Sequence, residues 1–208
     1  MTLRLNIVLR KARKGRGFLP PNPKQWDFEH NGLDLRAELR LPLDAPLDHN
    51  LAFALLPGVT VLPHGQLPLA QVFIDHFRGK GSASWSGMAI SFNDAGVVIL
   101  YNDRHPMTRT RTTLMEEFFH LWLGHPPSIL RVYRDDAGRS HDRDIESEAY
   151  DSGAAALVPY KALRLHVENG HSVRQIADFF EVSPDLVVYR SKVTRLYSTM
   201  LARIKRAV

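Results

Sequence analysis

The sequence predicts an α+β fold: a small antiparallel sheet packed on a pair of helices, followed by a helical, helix-turn-helix-like C-terminal section. Three observations predict it. Ser84 to Phe92 alternates in polarity and Gly96 to Tyr101 is a dense β-branched run, with the turn-forming Asn93-Asp94-Ala95-Gly96 between them. Thr113 to His125 reads as a helix that is apolar almost all round yet carries two carboxylates and a histidine. The last fifty residues read as helical throughout.

The chain divides by composition into residues 1–31, which are basic and rich in Pro and Gly, 32–159, and 160–208. The first segment is expected to be loosely docked. Asp48 to Leu56 is a short helix with Asp48 as N-cap and Pro57-Gly58 ending it. Val59 to Leu62 is a strand, and Gln71 to Phe77 a short helix or turn. After Gly124 the long helix stops, with Pro126 and Pro127 enforcing the stop. Pro126 to Asp142 is a polar connection rich in Arg, Asp and Gly. A second helix runs from about Asp144 to Val158, before Pro159.

Composition narrows the function classes. With 44% hydrophobic and 24% charged residues the chain suits a globular protein that buries a core. It has no cysteine, which excludes disulfides and thiolate metal sites. No apolar run approaches membrane-spanning length and the first residues do not resemble a signal peptide, so a cytoplasmic location is expected. The net charge is +5 and unevenly spread. No acid precedes Asp27, and from His171 onward seven Lys or Arg face three acids. Basic ends suit nucleic acid or an acidic protein surface, and equally a solvated tail.

Burying unpaired carboxylates is costly, so the Thr113–His125 helix needs a compensating group, and a divalent metal ion is the simplest. Glu116 and His120 are four residues apart and share a helical face. Glu117 lies beside them, placed to touch a metal-activated water. The pattern is that of the His-Glu-x-x-His zinc helix with glutamate in place of the first histidine. A third ligand is expected from the second helix. Glu148 shares a face with the small residues Ser152 and Ala155, which allow close helix approach, so Glu148 is chosen and Glu146 is the reserve. His125 lies about 140° round the helix from His120 and is assigned to the helix C-terminus rather than the metal. His141 and His105 stay outside the set.

These segments resemble the ImmA/IrrE-type metallopeptidases. Glu-Glu-Phe-Phe-His-Leu-Trp-Leu-Gly-His at 116–125, with Thr113-Leu114 before it, is followed by Glu148-Ala149 and then Ala156-Leu157-Val158-Pro159. The resemblance implies a metal-dependent endopeptidase with zinc as cofactor and Glu117 as general base. It implies His120 and Glu148 as metal ligands, with Glu116 standing where the first metal histidine would be. It also implies a protein substrate, a helix-turn-helix transcriptional repressor, and a setting in mobile-element or stress-response operons. Ser152 and Gly153 replace the phenylalanine and alanine of the family pattern, changes that bear on packing. Glu116, His120 and Glu148 would leave a divalent ion formally neutral. That weakens its Lewis acidity and favours oxygen-preferring metals such as manganese. The alternative is a catalytically inactive relative that binds DNA or a protein partner.

In the C-terminal section, Ser172-Val173-Arg174-Gln175 forms a capping box, and Val182-Ser183-Pro184 a turn, cap and helix start. The following helix carries Arg190, Lys192 and Arg195, which could enter a major groove. A helical hairpin packed on the preceding domain is the plainer alternative.

Overall fold

The computed structural model describes residues 23–66, 85–92, 96–126, 130–133, 136–139 and 142–206. In order, the elements are α1 (Pro23–Glu38), α2 (His49–Phe53), β1 (Val59–Pro63), β2 (Gly87–Phe92) and β3 (Gly96–Tyr101). There follow α3 (Met107–Trp122), β4 (Leu130–Tyr133), β5 (Asp136–Arg139) and α4 (Arg143–Leu157). Helices α5 (Tyr160–Glu168), α6 (Val173–Phe180), α7 (Pro184–Val193) and α8 (Tyr197–Arg206) complete the chain. The fold is α+β, as expected. The helix expected at Gln71 to Phe77 lies outside the described residues.

The sheet has the order β1-β3-β2. β2 and β3 pair antiparallel, Phe92 opposite Gly96, but β1 runs parallel to β3. The sheet is therefore mixed, not antiparallel: β1 lies beside β3 rather than beside β2, its neighbour in sequence, a pairing that a run of apolar residues alone does not reveal. Gly96 has a φ of +98°, and a Cβ there would stand 2.3 Å from the Gly58 carbonyl oxygen. Only glycine suits that crossing.

Helix α1 runs across residue 31, where composition changes. Its buried face consists of Phe28, Glu29, Gly32, Leu35 and Arg36, so charge and glycine replace most of the apolar stripe that would announce a helix. α1 packs on α4 through Gly32: a Cβ there would lie 2.5 Å from the Ala156 nitrogen. The polar connection after Pro126 contains a two-stranded ribbon, β4 with β5, where no regular structure was expected.

The second helix begins and ends where the sequence places it, with the Asp142 side chain capping the Asp144 N–H. The capping box of Ser172 and Gln175 and the Ser183 cap of α7 are both present. Arg190 on α7, however, is 1% exposed and paired with Glu29, itself 2% exposed. It is thus turned inward rather than toward a groove. Glu29 also accepts from the Tyr160 N–H, and Arg190 donates to the Val158 carbonyl. Arg36 donates to the Ala156 and Ala45 carbonyls, and burial lowers its guanidinium to about 10. These two arginines satisfy carbonyls at the C-terminal end of α4, where a helix leaves acceptors open and its dipole favours cations.

Glu29→Ala leaves the Arg190 charge buried without its carboxylate, and urea unfolding should show a loss of about 3–5 kcal/mol. Replacing both residues by Met should recover most of it. Gly32→Ala should lower stability by about 1–2 kcal/mol in the same assay, because the clash with α4 backbone outweighs the helix propensity gained.

Candidate metal centre

The centre is built where α3 crosses α4. Along α3, Leu114, Met115, Phe118 and Phe119 are fully buried, and Phe118 meets the Phe53 ring edge-on at 5.5 Å. That stripe roots the helix in the core and leaves Glu116, Glu117 and His120 half-buried on its other side. Gly153 brings α4 against it. A Cβ at Gly153 would stand 3.1 Å from the Met115 carbonyl carbon and 3.3 Å from the Glu116 nitrogen. A larger residue there would push α4 away from the Glu116 backbone.

At this crossing one ligand atom from each of Glu116, His120 and Glu146 lies within 4.8 Å of the other two. His120 Nε2 is 3.6 Å from Glu146 Oε2. Among the described residues this is the one cluster able to hold a metal ion. Burial raises the Glu116 carboxyl to about 7, helped by the neighbouring charges of Glu117 and Glu146. Burial and the charge of Glu116 likewise raise the Tyr150 phenol. A half-buried carboxyl facing two others suits a cation, and two carboxylates with one imidazole are a donor set zinc or manganese accepts. The residues fit the ion.

The sequence choice of Glu148 as third ligand differs from this arrangement. Glu148 Oε2 lies 3.2 Å from His125 Nε2, and Glu146, the reserve, completes the cluster. The reason is helical phase. The face of α4 that meets α3 passes through Gly153, and Glu146, seven residues earlier, shares it with Tyr150. The face through Ser152 and Ala155 packs on α1 instead: the Ser152 hydroxyl accepts from the Asn31 amide at 3.0 Å, and Ala155 abuts Gly32. His125 also departs from expectation, since its Nδ1 is 3.1 Å from His120 Nδ1. His105 stands instead beside Asn102, their side chains 3.4 Å apart. His141 lies outside the described residues.

Glu117 occupies the border between helix and sheet. Its Oε1 would be 3.8 Å from a Cβ on Gly87, the first residue of β2, and β2 is one of the two outer strands of the described sheet. A candidate ion site on α3 and α4, flanked by a carboxylate at the start of an edge strand, is the arrangement a metallopeptidase-like α+β domain needs. The sequence profile of the peptidase family described as the IrrE N-terminal-like domain matches residues 77–192, more than half of the chain. The chain belongs to that family. A comparison with curated proteins finds no match.

The raised Glu116 carboxyl has a consequence for the metal-free protein. Between its ordinary value of 4.5 and about 7 it holds a proton in the folded state that it would release on unfolding. Its contribution to stability is therefore present at low pH and lost as pH rises through about 7. In chelator, Glu116→Gln should raise the thermal midpoint above wild type at mildly alkaline pH. The gain should fade in acid.

Proposed function

We propose that the protein is a metal-dependent endopeptidase acting on a protein substrate. The observation that carries this reading is the convergence of Glu116, His120 and Glu146 with Glu117 beside them at the sheet edge. Glu116, His120 and Glu146 would hold the ion, with zinc the first choice and manganese the second. Such an ion supplies Lewis acidity, polarising a peptide carbonyl and making a water more acidic. Two carboxylates and an imidazole cancel its formal charge, so this centre acidifies water less than one with two histidines and a single carboxylate.

Glu117 is the general base. Its carboxylate accepts a proton from the attacking water and returns it to the leaving amine. Its place beside Gly87 suits a substrate added in extended form to the edge of β2, where backbone hydrogen bonds hold the chain and alternate side chains point to either face. Phe118 and Phe119, both fully buried, anchor the helix that carries Glu117 in the core. As protein substrate we propose a helix-turn-helix transcriptional repressor, on the family resemblance, and as location the cytoplasm. Of the described residues, no helix is long and apolar enough to cross a membrane. The burial of Arg190 against Glu29 tells against a DNA-reading role for α7.

The test is the metal content of protein purified without added metal. Wild type should carry about one zinc or manganese per chain, and Glu116→Ala, His120→Ala and Glu146→Ala should each lose it. Glu117→Gln should keep the metal while cleavage of a protein substrate falls by about 100-fold or more. A wild type that takes up neither metal overturns the reading.

A further inference from the structure

His125 and Glu148 lie outside the ion cluster, yet their contacts end on it. Helix α3 closes in a Schellman turn. Gly124, at a φ of +72°, donates its N–H to the Leu121 carbonyl, and the His125 N–H returns to the His120 carbonyl at 2.9 Å. This reversal, which a helical projection omits, folds His125 back over His120, and the ring centroids stand 5.1 Å apart. The contact runs nitrogen to nitrogen, His125 Nδ1 to His120 Nδ1 at 3.1 Å, while His125 Nε2 meets Glu148 Oε2 at 3.2 Å. Three residues thus form one line ending at the His120 ring, whose other nitrogen faces Glu146.

The proton positions along this line follow from the chemistry of its ends. A carboxylate only accepts, so His125 Nε2 carries the hydrogen and donates to Glu148. With both rings neutral, His125 then has a bare Nδ1, which accepts from His120 Nδ1–H. The neutral His120 ring is left with its lone pair on Nε2, the atom that faces Glu146. No other assignment of two neutral rings satisfies both contacts.

We propose that His125 is a positioning residue for the ion site. Held by Glu148, it fixes His120 in the Nδ1–H tautomer and turns the Nε2 lone pair toward Glu116 and Glu146. The proposal rests on the reading of that cluster as a metal centre. Outer partners of this kind orient a ligand ring and raise its basicity.

The chain contains its own control. His166-Val167-Glu168-Asn169-Gly170-His171 ends α5 by the same turn, with Gly170 at a φ of +78° and the His171 N–H on the His166 carbonyl at 3.0 Å. There too the two Nδ1 atoms meet, at 2.7 Å, but the His166 ring packs on Phe179 and Phe180. The backbone turn alone therefore brings two imidazoles together. What distinguishes the α3 pair is Glu148, which gives the line its direction.

The experiment has two readouts: the tautomer of His120 from ring ¹⁵N shifts in metal-free protein, and zinc affinity by competition with a chromophoric chelator. Wild-type His120 should show the Nδ1–H pattern. His125→Ala and Glu148→Ala should return it to a tautomer mixture and weaken zinc binding by about 10- to 100-fold. If His125→Ala disturbs the helix end, Glu148→Ala, on a side chain that is 40% exposed, gives the same reading without that risk. Glu148→Gln, whose amide oxygen still accepts from His125, should stay near wild type in both readouts, as should His171→Ala. An unchanged His120 tautomer in Glu148→Ala overturns the proposal. So does a Glu148→Gln variant that binds zinc as poorly as Glu148→Ala, which would make Glu148 a ligand. Should wild type take no zinc, the metal-centre reading fails, and the tautomer comparison in metal-free protein still decides the role of His125.

Discussion

The structure depends on how closely α4 approaches its two neighbours. On one side Gly153 lets α4 backbone sit against the Met115–Glu116 peptide of α3, and on the other Gly32 lets α1 backbone sit against Ala155 and Ala156. Residues 152–156, Ser-Gly-Ala-Ala-Ala, are fully enclosed and bring almost no side-chain area of their own. The apolar contribution of such a crossing is small compared with that of large side chains. Polar contacts at its C-terminal end hold it instead: Arg36 on the Ala156 carbonyl, Arg190 on the Val158 carbonyl, and Glu29 joining Arg190 to the Tyr160 N–H. This lock sits at one end of α4 and the ion cluster at the other, with Gly153 between them. The arrangement sets the distance from which Glu146 meets Glu116 and His120.

Three enclosed carboxylates show how differently one helix layer handles charge. Glu29 has a guanidinium. Asp151, 3% exposed, has neutral donors: the Tyr189 hydroxyl, the Gln25 amide and the Ser147 hydroxyl. Burial and this hydrogen bond together drive the Tyr189 phenol far above its ordinary range. Glu116 is the exception, because the charged groups that act on it most are two further carboxylates, which raise its carboxyl rather than lower it. Glu29 and Asp151 are buried and compensated by side chains, whereas the half-buried Glu116 lies beside His120 with two further carboxylates acting on it. A divalent cation is the partner whose charge matches.

Much of this was legible in the sequence, and the rest was hidden for identifiable reasons. The β2–β3 pair, the bounds of α4 and the caps at Ser172 and Ser183 are local features, set by periodicity and hydrogen-bonding side chains, and they stand where the sequence places them, while α3 begins six residues before Thr113, at Met107. Helix α1 was hidden because its buried face includes Glu29, Gly32 and Arg36, whose partners Arg190 and Ala156 lie more than a hundred residues away. The parallel setting of β1 is a matter of topology, which residue alternation does not encode. Glu116 and His120 were legible because both lie on one helix. Glu146 stood only as the reserve to Glu148, because small residues cover several faces of α4 and the sequence cannot say which one meets α3. The Ser152 face looked suitable and in fact serves α1.

The position of His125 shows the limit of helical projection most directly. Counting 100° per residue from His120 assumes that the helix continues, and on that assumption His125 points elsewhere. The glycine before it breaks the assumption, since a left-handed residue at that point turns the next N–H back to the carbonyl of His120. The pattern His-x-x-x-Gly-His therefore carries a spatial meaning that neither histidine has alone, and the chain uses it twice. In α5 the paired rings lie against phenylalanines, and burial lowers His166, as it would any imidazole moved from water into an apolar setting. In α3 the same backbone delivers a ring to a carboxylate on the facing helix. One turn thus serves packing in one place and ligand orientation in the other. The difference lies in the third residue, a phenylalanine or a glutamate, that the tertiary fold supplies.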